Sequence, residues 1–194
     1  MNLTSNPRFF VLGLALAAFC LAASAQTPPT AGTEDGKLVS DLEARVKAYL
    51  DLRQKAAGNP PSSDSTPAHI VSQQRDLAAK VRVVRAGAKQ GEIFTPDIAP
   101  YLRRQIAATL AGSHGNEVRA SLRHAEPVKM ELQINQSYPG HVPLQSTPPT
   151  LLLNLPQLPD GLEYRILDRE LVLRDSEANI VVDYVPNALP DDGK

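Results

Sequence analysis

The sequence predicts an α+β fold: an N-terminal helical hairpin and a third helix packed on a small C-terminal antiparallel sheet of three to four strands. Three observations carry this. Apolar residues recur at helical spacing from Val39 to Leu110, strand-like alternation fills the stretch from Leu162 to Val185, and the links between those strands are too short for parallel pairing. Such a sheet needs cover on its apolar face, and the helical half is the cover this chain offers.

Taken in order, the chain opens with Arg8, an apolar run from Phe9 to Ala23 and then Ala23-Ser24-Ala25, so residues 1–25 read as a signal peptide cleaved before Gln26. The run falls short of the ~20 residues of a spanning helix, so no membrane span is expected after cleavage. Phe19 stands where a lipobox before Cys20 would need a small residue, and lipidation is not expected. With Cys20 gone, the single cysteine is lost, and neither disulfides nor thiol catalysis remain. The expected address is exported, periplasmic or secreted.

Charge and aromatic content narrow the function classes. The 20 Lys and Arg nearly balance the 21 Asp and Glu, for a net charge of −1, so no nucleic acid is expected as a partner. Outside the leader the aromatics are Phe94 and five Tyr, with no Trp, a poor platform for stacking bases or sugars. One domain is expected from residue 37 to 189.

Gln26 to Gly36 is polar and rich in Pro and Thr, the composition of a disordered arm. Leu38 to Ala57 is a helix whose stripe is Val39, Leu42, Val46 and Tyr49, flanked by the pairs Asp41/Arg45, Glu43/Lys47 and Asp51/Lys55. Gly58-Asn59-Pro60-Pro61 stops it. A second helix starts at Thr66-Pro67, carries Ile70, Leu77, Val81, Val84 and Ala88 inward and ends at Gly91. Arg75, Arg82, Arg85 and Lys89 line its flank, either as an anion site or as stems that shield the core.

Thr95-Pro96-Asp97 signals a third helix with Ile98, Leu102, Ile106 and Leu110 inward, and Pro100 implies a restart or a kink. Gly112 to Gly115 ends it, and Glu117 to His124 adds a turn or two. Val128 to Ile134 alternates as a first strand. The proline-dense stretch from Pro139 to Pro159 cannot be a central strand, but Thr150 to Asn154 suits one helical turn on the sheet. Three strands follow, separated at Asp168-Arg169 and at Asp175 to Asn179, and residues 190–194 form a mobile tail.

Several phrases, read together, resemble a set of uncharacterised exported bacterial proteins with no assigned activity. They are Gly91 to Pro96, Asn135 to Pro139 with Tyr138, Pro148-Pro149 with Leu152, and Leu155 to Pro159 running through Leu162-Glu-Tyr-Arg165 to Asp183. The likeness covers most of the chain beyond the leader and brings no catalytic residues with it. Tyr164-Arg165 through Leu171-Val172-Leu173 to Ile180-Val181-Val182 is also similar to the end of small periplasmic proteins linked to nickel and cobalt homeostasis, without their glycines.

Reactive motifs are missing. Gly112-Ser113-His114-Gly115 has neither the spacing nor the context of a nucleophile elbow. His69, His114, His124 and His141 are not paired at helical ligand spacing, so a metal site would need convergence in space. Asp175-Ser-Glu177-Ala-Asn179 mimics the start of a calcium loop, yet Ile180 stands where that loop needs Gly, and a hairpin turn with Asn179 at positive φ fits better.

The leading expectation is a cofactor-free binding or structural module of the bacterial envelope, with an envelope protein or peptide as partner at a sheet edge. Its binding candidates are Asn135, Tyr138, His141, Tyr164, Arg165, Arg174, Asp175, Asn179 and Asp183. The rival readings are a hydrolase with a site in loops 135–141 and 175–179, and a periplasmic metal-handling protein. No catalytic or metal-ligating residue is assigned.

Overall fold

The computed structural model describes residues 33–58, 66–124, 131–138 and 147–190. Residues 1–25, most of the arm and the end of the tail therefore lie outside the described residues, as does His141. Among the described residues, five helices and a three-stranded antiparallel sheet bear out the α+β class.

Helix α1 (Glu34–Ala57) begins a turn before Leu38, because the Thr33 hydroxyl accepts from the Gly36 N–H at 3.0 Å and caps the chain there. Residues 34–36, expected in the arm, are thus helical. Leu42, Val46 and Tyr49 are buried as the stripe requires, and Gly58, at φ 74°, ends the helix. The Asp41–Arg45 pair forms at 2.9 Å, whereas Lys47 reaches forward to Asp51 rather than back to Glu43.

Helix α2 (Pro67–Val84) stops short of the expected Gly91. Its buried face holds Ala78 and Val81, and two members of the expected stripe, Ile70 and Val84, are 45% and 51% exposed. The helix ends at Arg85, whose backbone leaves the helical region at φ −112° and ψ 27° and whose side chain turns inward to the Asn135 side chain and the Val182 carbonyl. Lys80 Nζ donates to the Ala57 carbonyl and the Arg85 guanidinium lies over the Tyr49 ring, so later positions of α2 meet earlier positions of α1.

Helix α3 (Ile98–Ala111) places Pro100 third from its start, in the first turn, where no intrahelical partner awaits a proline N–H. The expected kink is not needed. The Thr95 hydroxyl accepts from Ile98 N at 3.3 Å, so Thr95 contributes to the start as its position suggested. Helix α4 (Gly115–His124) follows a tight turn, and α5 (Pro149–Leu152) is the single turn expected among the prolines.

Strands β1 (Leu162–Leu167), β2 (Glu170–Asp175) and β3 (Ile180–Val185) form a meander in the order β1-β2-β3. Leu162, Tyr164, Ile166, Leu171, Leu173 and Ile180 join Leu42, Val46, Ile98, Leu102 and Ile106 in one core. The opposite face carries a smaller cluster of Tyr138, Leu167, Val172 and Val181. A bulge at Val182 shifts the register, so that Val181 lies opposite Arg174 while Asp183 lies opposite Leu173 on the core side. Bulges re-aim side chains, and here the turned group is the Asp183 carboxylate.

The strand expected from Val128 to Ile134 is not found where it is described. Residues 131–134 are irregular, and Val128 to Met130 lie outside the described residues. Asn135 adopts φ 64° and turns the chain, so that the next residues lie against the outer side of β3 instead. Asn135 N donates to Val181 O, Val181 N to Gln136 O and Tyr138 N to Asn179 O, with a bridge between Ser137 and Ile180.

Candidate functional site

Tyr164 and His141 apart, the residues chosen from sequence separate into three groups. Asp175 and Asp183, both fully buried, are used up in holding the fold. Asp175 accepts from the Tyr49 hydroxyl at 2.6 Å, from Arg53 at 3.1 Å, and from the Glu177 and Ala178 N–H groups of its own turn. Asp183 accepts from the N–H groups of Gly91, Ile93, Phe94 and Tyr184 at 2.8–2.9 Å. Neither carboxylate retains an open lone pair toward solvent, as acid-base work would require.

Asn135 belongs to a second group. Its side chain accepts from Arg85 at 2.9 Å and donates to the Arg85 carbonyl, while Arg82 donates to its main chain and to the Ser137 hydroxyl. For these two arginines neither expected alternative describes the outcome: they bond the 135–137 segment, and Arg85 is buried rather than part of a solvated flank.

The third group gathers Tyr138, Arg165, Arg174 and Asn179 on the sheet face away from α1. Arg174 stacks over the Tyr138 ring at 4.9 Å and donates through Nε and Nη2 to Asn179 Oδ1, whose amide donates to the Tyr138 carbonyl. Glu163, absent from the sequence candidates, accepts from both Arg165 and Arg174. Two guanidiniums thus share one carboxylate, and the trio keeps one positive charge. Burial pushes the Tyr138 phenol above its ordinary range, against the pull of Arg165 and Arg174. The Tyr138 hydroxyl and the Arg165 Nε–H are buried without a hydrogen-bond partner among the described residues.

Beside this cluster runs a groove of about 470 Å³ along the outer side of β1, lined by Leu152, Leu155, Pro156 and Leu158 on one side and by residues 162–165 on the other. Tyr164 lines it from the core side, its ring stacked at 6.3 Å on Phe94 and its phenol pushed up by burial. The outward main-chain groups of β1 are partly occupied: Leu162 N donates to Pro159 O, and the Thr147 hydroxyl lies 3.2 Å from Ile166 N and 3.5 Å from Tyr164 O. Between them, no described residue accepts from Tyr164 N–H. The sheet therefore has unequal edges, β3 being paired by 135–138 and β1 bordered by a groove.

Asn179 and Asp175, named for the hydrolase reading, are bonded within the fold, and His141 lies outside the described residues. Among the described residues no three His, Cys, Asp or Glu side chains converge as a metal site. No described helix is long and apolar enough to cross a membrane. No family model, curated protein or solved structure matches this chain.

Thr147 and Glu163 escaped the sequence reading. Thr147 sits in a proline-dense stretch whose path has no periodic signal, and Glu163 read as an ordinary solvent-facing strand residue.

Proposed function

We propose that this is an exported, cofactor-free binding module of the bacterial envelope that receives an extended peptide segment along β1. One observation carries the reading: β3 is shielded by residues 135–138, whereas β1 is flanked by a groove whose far wall holds Leu152, Leu155 and Leu158. A strand edge that keeps an unaccepted N–H, as β1 does at Tyr164, can bond an added segment there, and adjacent pockets supply selectivity for alternate side chains. The apolar leader with Ala23-Ser24-Ala25 supports export. The competing hydrolase and metal-handling readings have less behind them, since the residues they need are bonded elsewhere or do not converge among those described.

The test is selection of binders from a random-peptide display library, followed by amide hydrogen exchange on the complex. Slowed exchange centred on Tyr164 supports the reading. Binders that protect only α2, or no binders at all, would overturn it.

A further inference from the structure

We infer that the segment received along β1 presents an acidic side chain to Arg165, with apolar residues on either side of that acid. The inference rests on the peptide-binding reading and adds the chemistry of the partner.

Side chains of a paired strand alternate between the two faces of the sheet. Arg165 projects to the face that holds Glu163 and Arg174, while its neighbours Tyr164 and Ile166 project to the helical core. A strand laid beside β1 therefore offers every second residue to the charged cluster and the intervening ones to Leu152, Leu155 and Leu158. Apolar residues suit the second set.

Charge decides the first set. Glu163 is shared between Arg165 and Arg174, so the trio is a net cation. Arg174 is the more fully engaged, with Asn179 and the Tyr138 ring as further partners. Arg165 lies on the edge strand, its side chain is 18% exposed, and its one hydrogen bond among the described residues is that to Glu163. Opposite charges across neighbouring strands attract and like charges repel, so this edge favours an acid and disfavours a base.

The experiment uses the protein as the cell processes it and three blocked nine-residue peptides alternating serine and valine, with glutamate, glutamine or lysine replacing the central serine. Calorimetric titration is expected to rank glutamate about fivefold tighter than glutamine, with lysine weakest. The spread should shrink as salt is added. Arg165→Glu is expected to reverse the order. Arg165→Gln should level the glutamate and glutamine peptides, and it carries the test should the reversed charge unfold the chain. Equal affinities for all three, with exchange protection at β1, overturn this inference and leave the β1 reading standing. If none of the three binds, or protection falls elsewhere, both fail together.

Discussion

The Tyr49 hydroxyl donates to the Asp175 carboxylate at 2.6 Å across 126 residues of chain, fastening the first helix to the middle strand. Arg53, one turn on, reaches the other oxygen at 3.1 Å. Removing the acid leaves Arg53 with Glu177 alone, at 3.2 Å, and takes the acceptor from the Tyr49 hydroxyl and from the Glu177 and Ala178 N–H groups, so Asp175→Ala is expected to destabilise the fold by at least about 3 kcal/mol. Tyr49→Phe leaves Arg53 and the turn amides in place and should lose about 1–2 kcal/mol. Urea denaturation of the two variants checks this, and equal losses would contradict it.

The same phenol makes stability sensitive to alkali. Burial, then the Asp175 charge, push Tyr49 above its ordinary value, and burial does the same to Tyr164. Above pH ~10 the unfolded chain releases these protons while the folded chain keeps them, so the stability present below that pH declines as pH rises further. The slope is at most about 1.4 kcal/mol per pH unit for each such tyrosine. Urea midpoints above pH ~10 should fall less steeply for Tyr49→Phe than for the unaltered protein.

Asp183 fixes residues 91–94 by accepting from Gly91, Ile93 and Phe94. Hydrogen bonds to a charged acceptor are each worth about 1.5–3 kcal/mol, and asparagine offers one neutral oxygen in place of two charged ones. Asp183→Asn should therefore lose at least about 3 kcal/mol. Amide exchange should accelerate at Ile93 and Phe94 before it does in β2. Unchanged exchange there would show that the carboxylate is not what holds this segment.

Gly115 opens α4 so close to the end of α3 that an added Cβ would run into the Leu110 carbonyl. Backbone cannot yield as a flexible side chain can, and Gly115→Ala is expected to lose about 1–3 kcal/mol. Gly87 has open space around it, so Gly87→Ala should be neutral or stabilising by up to about 1 kcal/mol. Thermal melting of the pair separates a steric requirement at one glycine from a general intolerance of alanine.

Much of the fold could be read from local pattern. Leu162, Tyr164 and Ile166 alternate with charged residues, Asn179 takes φ 51° at the turn assigned to it, and Leu42, Val46 and Tyr49 form the buried stripe. What escaped depends on partners far along the chain. Nothing around Arg85 shows that its guanidinium will reach Val182, and an unbroken apolar run hides the bulge. The candidate site was legible only as a set of residue types. Tyr138, Arg165, Arg174 and Asn179 do assemble, while Asp175 and Asp183 serve packing, because burial of a carboxylate is decided by elements that sequence spacing does not connect.

The bond between Tyr49 and Asp175 also bears on the order in which this polypeptide can mature. Synthesis runs from the amino end, so α1 and residues 91–94 exist well before the two acids that secure them. A nascent chain stalled before residue 162 presents Leu42 and Val46 with none of the three strands to cover them, and truncated products are consequently open to proteases. Release of the final hairpin is thus the event that turns a collection of helices into a finished protein.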